Sequence, residues 1–184
     1  MGAVSPLGVG ARRTFERWVA GESGIEDGLA RCDEFEPTDF LSKKEARRAD
    51  RFTHLSIGAA EEAISEAGLD EGSGLDPERI GCIFATGVGG IGTIEANHDS
   101  LRDKGEKAVS ALAIPMLMPN AGAGTLAIRY GLQGPSHSVA SACAAGADAI
   151  SAASRLIRSG EADVVVTGGS DAALTPLARA AFGN

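Results

Sequence analysis

Residues 138–160, SVASACAAGADAISAASRLIRSG, decide the fold prediction. An extended run over 138–141 leads without a spacer into a helix of small residues that ends at Gly160, and Cys143 stands at the junction. The first N–H groups of a helix have no intrahelical partner, and the positive end of the helix dipole lies beside them. That location favours the thiolate, the nucleophilic form of cysteine. Cys143 is therefore a candidate nucleophile; the alternative is a small buried residue, as free cysteines often are.

Apolar segments on either side of this stretch predict further strands and helices. Residues 80–85 and 162–169 are apolar on both faces, as in buried strands of a parallel sheet. Helical periodicity is clearest over 50–68, and further helices are predicted over 12–20, from about residue 93, over 119–130 and over 175–182. Residues 1–10 are predicted to be a loop without a strand. Alternating strands and helices predict an α/β fold.

Composition limits the classes of function. The 184 residues suit one domain, and 4% aromatic residues with 25 glycines predict closely packed layers of backbone. A net charge of −8 argues against nucleic-acid binding. The sequence contains neither an apolar run of membrane-spanning length nor a signal peptide, so we expect a cytosolic protein that does not bind a membrane. Cys32, Cys82 and Cys143 are far apart, which favours neither a disulfide framework nor a zinc site.

A glycine-rich loop follows the strand predicted over 80–85. Gly87, Gly89 and Gly92 form a G-x-G-x-x-G pattern, which is typical of dinucleotide-binding proteins. In those proteins an acidic residue about 20 positions later ends a second strand. Here Asp103 and Glu106 lie in a polar stretch, so we do not predict a dinucleotide site.

Basic residues are concentrated over residues 43–51 of this otherwise acidic chain. The usual interpretation of such a run is a solvated helix face. His54 is interpreted as a surface or packed residue of the helix that follows.

The nucleophile region resembles a known family. Its sequence SACAAG (141–146), preceded by YGLQGPS (130–136) and followed by ADVVVTGGSD (162–171), is similar to the β-ketoacyl-acyl-carrier-protein synthases, most of all to the synthase II type of fatty acid biosynthesis. The resemblance implies a thiolase-like layered α-β-α fold. It also implies that residues 1–184 are the N-terminal one of two similar halves, lacking its first strand and incomplete at both ends.

The resemblance implies an acyltransferase. Cys143 would take an acyl group from a carrier-protein thioester, and the acyl-enzyme would condense with malonyl-acyl-carrier protein with loss of CO₂. No cofactor is expected, because phosphopantetheine arrives on the carrier-protein substrate. Val88 matches a position that gates acyl-chain entry, and Lys44, Arg47 and Arg48 match positions that dock the acidic acyl carrier protein. The complete enzyme is expected to be a homodimer, with the dimer contact near residues 108–119.

The sequence departs from the family in its catalytic set. The family's two catalytic histidines, its lysine and a second oxyanion donor belong to the second half, and His54, His98 and His137 do not match them. Alternative hypotheses are therefore an inactive truncated half and a scaffolding or carrier-binding subunit. A cysteine hydrolase is a third and weaker alternative.

Overall fold

The computed structural model describes residues 1–69 and 74–184. The chain opens with a small antiparallel hairpin of β1 (Val4–Ser5) and β2 (Gly8–Val9). The prediction of a loop without strands over residues 1–10 was therefore wrong. Each strand has only two residues, which is too short to produce a detectable alternation in the sequence.

A three-stranded parallel sheet forms the centre of the fold, in the order β4-β3-β5. Its strands are β3 (Ile80–Ala85), β4 (Ser136–His137) and β5 (Val164–Gly169). The bounds of β3 match the prediction. β5 pairs with β3 over its whole length, from Ile80↔Val164 to Ala85↔Gly169. The carboxyl ends of β3 and β5 therefore lie side by side.

Helices cover both faces of this sheet. The described residues form α1 (Ala11–Val19), α2 (Lys43–Ala46), α3 (Arg51–Glu66), α4 (Ile91–Lys104), α5 (Ala113–Leu117), α6 (Ala121–Tyr130), α7 (Ala145–Arg158) and α8 (Pro176–Gly183). The helices predicted from the sequence are present, with shifts of a few residues at their ends. The α/β prediction is thus confirmed.

The alternation of side chains along β3 divides the core in two. On one face Cys82 and Phe84 join a cluster with residues of α3 and α6, including Ile57 and Leu126, which are fully buried. On the other face Ile83 packs with four alanines of α7, at positions 145, 149, 152 and 153. Because these alanines carry only a methyl group, α7 lies close to the sheet.

The longest helix, α3, begins directly after a capping aspartate. The buried Asp50 caps its N-terminus by accepting a hydrogen bond from the N–H of Phe52 at 3.3 Å. The other carboxylate oxygen of Asp50 accepts bonds from the N–H (2.8 Å) and the hydroxyl (2.7 Å) of Thr93. One side chain therefore fixes the starts of α3 and α4 together.

The burial of β5 differs from the prediction. Residues 162–169 were expected to form a fully buried strand, but within β5 only Val166 is buried. The reason is that β5 is an edge strand of the described sheet and has a neighbour on one side only. Its other valines are half-buried.

The chain has a large surface for its mass. Its accessible area is 10770 Å² at 18.7 kDa, about 30% above the area typical of a folded monomer of that mass. Exposed apolar residues include Ile150 and Ile157 on α7 and Ile114 on α5.

Among the described residues, no helix combines the length and the hydrophobicity needed to cross a membrane.

Candidate active site

Cys143 lies in a 3-10 turn, Ala142–Ala144, which directly precedes α7. The sequence predicted a strand over 138–141 and a helix starting near the cysteine. The structure corrects both boundaries, because β4 ends at His137 and the α-helix begins at Ala145. Ala142 has a φ of +51°, a left-handed conformation that few non-glycine residues adopt. This sharp turn ends the extended run and presents Cys143 at the surface.

The three cysteines differ in accessibility. Cys143 is exposed, Cys32 is half-buried and Cys82 is buried. Burial raises the pKa of the Cys82 thiol to about 12 and also raises the pKa of the Cys32 thiol. Both remain protonated at neutral pH, which leaves Cys143 as the accessible thiol of the chain.

Two glycines let α7 start close to the carboxyl end of β5. A Cβ added to Gly169 would lie 3.0 Å from the Cα of Gly146 and 3.3 Å from the carbonyl oxygen of Ala85. The strand and the helix therefore touch backbone to backbone immediately beside the turn that carries Cys143. A side chain at position 169 would push this turn away from the sheet.

A cavity of about 240 Å³ adjoins Cys143. It is lined by the last residues of β3 and β5, by the start of α7, and by two polar residues that follow β5, Ser170 and Asp171. The Ser170 hydroxyl bonds to the Ser56 hydroxyl at 2.7 Å and donates to the carbonyl of Phe52 at 2.8 Å. These bonds attach the wall of the cavity to α3.

The Cys143 turn is also attached to its own helix. The Ser141 hydroxyl donates a 2.5 Å hydrogen bond to the carboxylate of Asp148, which lies in the first turn of α7. A carboxylate is favoured there by the helix dipole. The close contact of Gly146 with Gly169 and the bond between Ser141 and Asp148 therefore both restrain this turn.

Asp171 occupies the N–H groups of the glycine loop. Its carboxylate accepts hydrogen bonds from the N–H of Gly87 at 3.0 and 3.1 Å and from the N–H of Val88 at 3.3 Å. In a dinucleotide-binding loop such N–H groups face the pyrophosphate. The Asp171 carboxylate would repel that anion, so the geometry of this loop does not favour dinucleotide binding.

The predicted binding residues lie on two separate elements. Val88 is in the glycine loop and is 46% exposed. Lys44 is in α2, with Arg47 and Arg48 directly after it, and all three are exposed. Within the described part of the chain, none of these three forms an ion pair. Arg51, from the same basic run, instead donates to the carbonyls of Cys32 and Phe35, so its role is structural.

No histidine of the described residues lines the Cys143 cavity. His54 packs on α3, where its Nε2 is 2.8 Å from the carbonyl oxygen of Ala46 and burial lowers its pKa. This position agrees with the interpretation of His54 as a packed residue. His98 and His137 are exposed. Nor does the described part of the chain contain a cluster of acidic, histidine or cysteine side chains able to hold a metal ion.

Two residues of the site were not predicted from the sequence: Asp171 and Thr86, whose hydroxyl donates to the Asp171 carboxylate at 2.8 Å. The signal was present, because each residue follows the end of a predicted strand. Side chains at the carboxyl ends of neighbouring parallel strands meet at one edge of a sheet. Sequence alone did not show that β3 and β5 are neighbours.

The fold and the site define an α/β protein with an accessible thiol at the carboxyl end of a parallel sheet. The chain belongs to the beta-ketoacyl synthase family: the family described as beta-ketoacyl synthase, N-terminal domain, matches residues 19–184. It is 38% identical to 3-oxoacyl-(acyl-carrier-protein) synthase 2 of Staphylococcus aureus, over 99% of this chain and 48% of that protein. The chain thus spans about half the length of this curated relative.

Solved structures show the same fold. The ketosynthase/chain length factor of ishigamide superposes with a TM-score of 0.81 at 26% identity, over 99% of this chain and 53% of that one. A chain of a second structure matches with a TM-score of 0.82 at 24% identity, over 98% of this chain and 51% of that one. That structure is a type II PKS acyl-carrier protein in complex with its ketosynthase, bound to the hexaketide. These likenesses confirm the thiolase-like fold and the correspondence of this chain to about half of such a protein.

Proposed function

We propose that the protein containing this chain is a β-ketoacyl-acyl-carrier-protein synthase of fatty acid biosynthesis. The Cys143 thiolate attacks the carbonyl carbon of an acyl-carrier thioester, and the carrier's phosphopantetheine thiolate leaves. Malonyl-acyl-carrier protein then loses CO₂, and the resulting carbanion attacks the acyl-enzyme. A C–C bond forms and the Cys143 thiolate is released. Covalent catalysis divides a difficult condensation into two easier steps.

The observation that carries this proposal is the position of Cys143. It is exposed beside a cavity at the carboxyl end of the sheet, whereas the other two thiols are protonated and at least half-buried. Its own N–H lies in the turn before α7, where we expect it to donate to the developing oxyanion. The family membership and the name of the S. aureus relative support the same chemistry.

A second candidate is a carrier-binding half without condensing activity of its own. It is favoured by the absence of histidines from the cavity lining in the described residues. In this case the remaining catalytic groups come from the polypeptide that corresponds to the other half of the relatives.

The test uses the full protein in which this chain occurs. We expect incubation with acyl-acyl-carrier protein to leave an acyl group on the peptide containing Cys143, and addition of malonyl-acyl-carrier protein to release CO₂ and β-ketoacyl product. Cys143→Ala should lower acylation and formation of the β-ketoacyl product by at least about a thousandfold, because both need the thiolate. Cys32→Ala is the matched control and should keep them. Acylation without CO₂ release would favour the second candidate, and full activity of Cys143→Ala would refute both.

We further propose that Lys44, Arg47 and Arg48 bind the acidic carrier. All three are exposed and free of ion pairs within the described residues, and a ketosynthase of the same fold is known in complex with its carrier. Reversing two of these charges should weaken carrier binding at low salt by about tenfold, and less at high salt because ions screen the attraction. Reversing Arg12 and Arg102, which are exposed but already paired with acidic residues, controls for net charge. Equal affinity of all variants at low salt would leave these residues as a solvated surface.

The full protein is also proposed to be a homodimer. Support comes from the apolar side chains around α5, where Leu112, Ile114 and Met118 are 38%, 64% and 40% exposed. Ile114→Glu should then shift the mass measured by light scattering from dimer towards monomer. Ile128→Glu, on α6, is a matched control at an even more exposed isoleucine. An unchanged mass of the Ile114 variant would exclude this surface as the dimer contact.

A further inference from the structure

Asp171 joins the segment after β5 to the glycine loop after β3. Its carboxylate accepts hydrogen bonds from three consecutive residues of that loop: the Thr86 hydroxyl, the Gly87 N–H and the Val88 N–H. The residue is exposed in this chain, so solvent screens each bond. Three donors that converge on one side chain still fix its position relative to the loop better than a single ion pair does.

The loop that Asp171 holds has little freedom elsewhere. The buried Thr86 also accepts a hydrogen bond from the N–H of Gly89 at 3.0 Å, which closes the loop on itself. Gly89 has a φ of +64°, and a Cβ there would lie 2.8 Å from the carbonyl oxygen of Leu117. The loop is thus pressed against the end of α5, and its one large side chain, Val88, points out of it and is 46% exposed.

The same loop touches the turn that carries the nucleophile. A Cβ added to Gly87 would lie 3.3 Å from the carbonyl oxygen of Ala142, the residue before Cys143. Movement of the loop would therefore move Val88 relative to Cys143. The Asp171 carboxylate is the group that ties the loop to β5 at this point.

Asp171 also stands between two cavities. It lines the cavity of Cys143, and it lines a second, larger cavity of about 800 Å³ between α3, α4 and the segment after β5. Apolar residues such as Leu55, Met116 and Leu174 contribute to the lining of the larger cavity. A residue at this boundary is well placed to influence which acyl chains reach the thiol.

We propose that Asp171 is a positioning residue: by holding the Thr86–Gly87–Val88 backbone it sets the place of Val88 relative to Cys143, and so determines which acyl chains are accepted. The proposal rests on the proposed function, because it assumes that Cys143 receives an acyl group. A carboxylate suits the role because both of its oxygens only accept hydrogen bonds. In Asp171→Asn one of these oxygens becomes an NH₂ group that faces N–H donors.

The first test does not depend on activity. Hydrogen exchange of the amides of Gly87 and Val88 in the full protein should become about tenfold faster or more in Asp171→Asn than in the wild type. Asp163→Asn is the matched control, because the same substitution precedes β5 instead of following it. Unchanged exchange at these two amides would overturn the proposal. If Asp171→Asn does not fold, Thr86→Val, which removes one of the donors, gives the same readout.

The second test measures specificity. The ratio of kcat/KM for long against short acyl-carrier substrates should change by about fivefold or more in Asp171→Asn, and the effect should be smaller when Val88 is already alanine. Asp171→Glu, which keeps the carboxylate, should restore part of the ratio. A wild-type ratio in Asp171→Asn, or effects of the two sites that simply multiply, would overturn the proposal. Absence of acylation in the wild type would instead refute the proposed function.

Discussion

An aspartate lies at each end of the β3–β5 pair, and the two aspartates make different kinds of contact. At the amino end Asp163 pairs with Arg79 at 2.6 Å, and Arg79 also donates to the carbonyl of Gly160. This contact fastens the turn after α7 to the start of β3. At the carboxyl end Asp171 bonds to backbone N–H groups of a loop that borders the Cys143 cavity. The amino-end aspartate joins two chain segments, and the carboxyl-end aspartate positions the residues around the Cys143 thiol.

The difference follows from the parallel sheet. All carboxyl ends point the same way, so the segments that leave β3, β4 and β5 meet at one edge. The amino ends of the three strands lie at the opposite edge of the sheet, away from the Cys143 cavity. A substitution at the carboxyl end should therefore affect both the fold and the thiol, while one at the amino end should affect stability alone.

The largest expected effect on stability is at the carboxyl end. Gly169→Val should lower the free energy of unfolding by about 1–3 kcal/mol, because its side chain would meet the backbone of Gly146 and force α7 away from β5. Urea unfolding of the full protein measures this change. Gly124→Ala, in α6 with no atom within 4 Å of the added Cβ, is the control and should be neutral or stabilising. Equal urea midpoints for the two variants would show that β5 and α7 are not in close backbone contact.

The turn before Cys143 provides a smaller test of the same end. Ala142 holds a φ of +51°, so Ala142→Gly should remove strain and raise the free energy of unfolding by up to about 1 kcal/mol. Ala144→Gly, where φ is −88°, should lower it by about 0.5–1 kcal/mol. We therefore expect the two substitutions to change the stability measured by thermal unfolding in opposite directions. A loss of stability in both variants would mean that the turn is not strained.

The amino end should show the smallest effect. Arg79 lowers the pKa of the Asp163 carboxyl in the folded state, so the pair stabilises the protein above the unfolded pKa and ceases to do so as pH falls through the lower folded value. Asp163→Asn should thus be slightly less stable than the wild type at pH 7, and the difference should vanish at strongly acidic pH or high salt. Chemical unfolding at several pH values measures it. Acyl transfer should be unaffected, and a slower transfer would contradict the division of roles between the two ends.

The elements that the sequence predicted well are those with local causes. The bounds of β3 follow from six apolar residues between a charged segment and a glycine loop, and α3 follows from its apolar periodicity. Cys143 could be proposed as a nucleophile because the predicted extended run, the cysteine and the small-residue helix are contiguous. In each case neighbouring residues contain the whole signal.

The features that the sequence did not predict depend on distant contacts or on very short elements. The half-exposed state of β5 depends on its place at the edge of the described sheet, and the role of Asp171 depends on β3 and β5 being neighbours. The hairpin of β1 and β2 has only two residues in each strand. The turn at Ala142 requires a backbone conformation that alanine rarely adopts, so the residue type does not predict the turn.

If Cys143 is the nucleophile at the carboxyl end of the sheet, it should be the most reactive of the three thiols, and the rates of thiol alkylation measure this. The folded full protein is treated with limiting iodoacetamide at neutral pH, and the peptides of Cys32, Cys82 and Cys143 are quantified by mass spectrometry over time. We expect Cys143 to react at least about tenfold faster than the other two, and the three rates to converge in denaturant. Modification of Cys32 or Cys82 as fast as Cys143 in the folded protein would contradict the account.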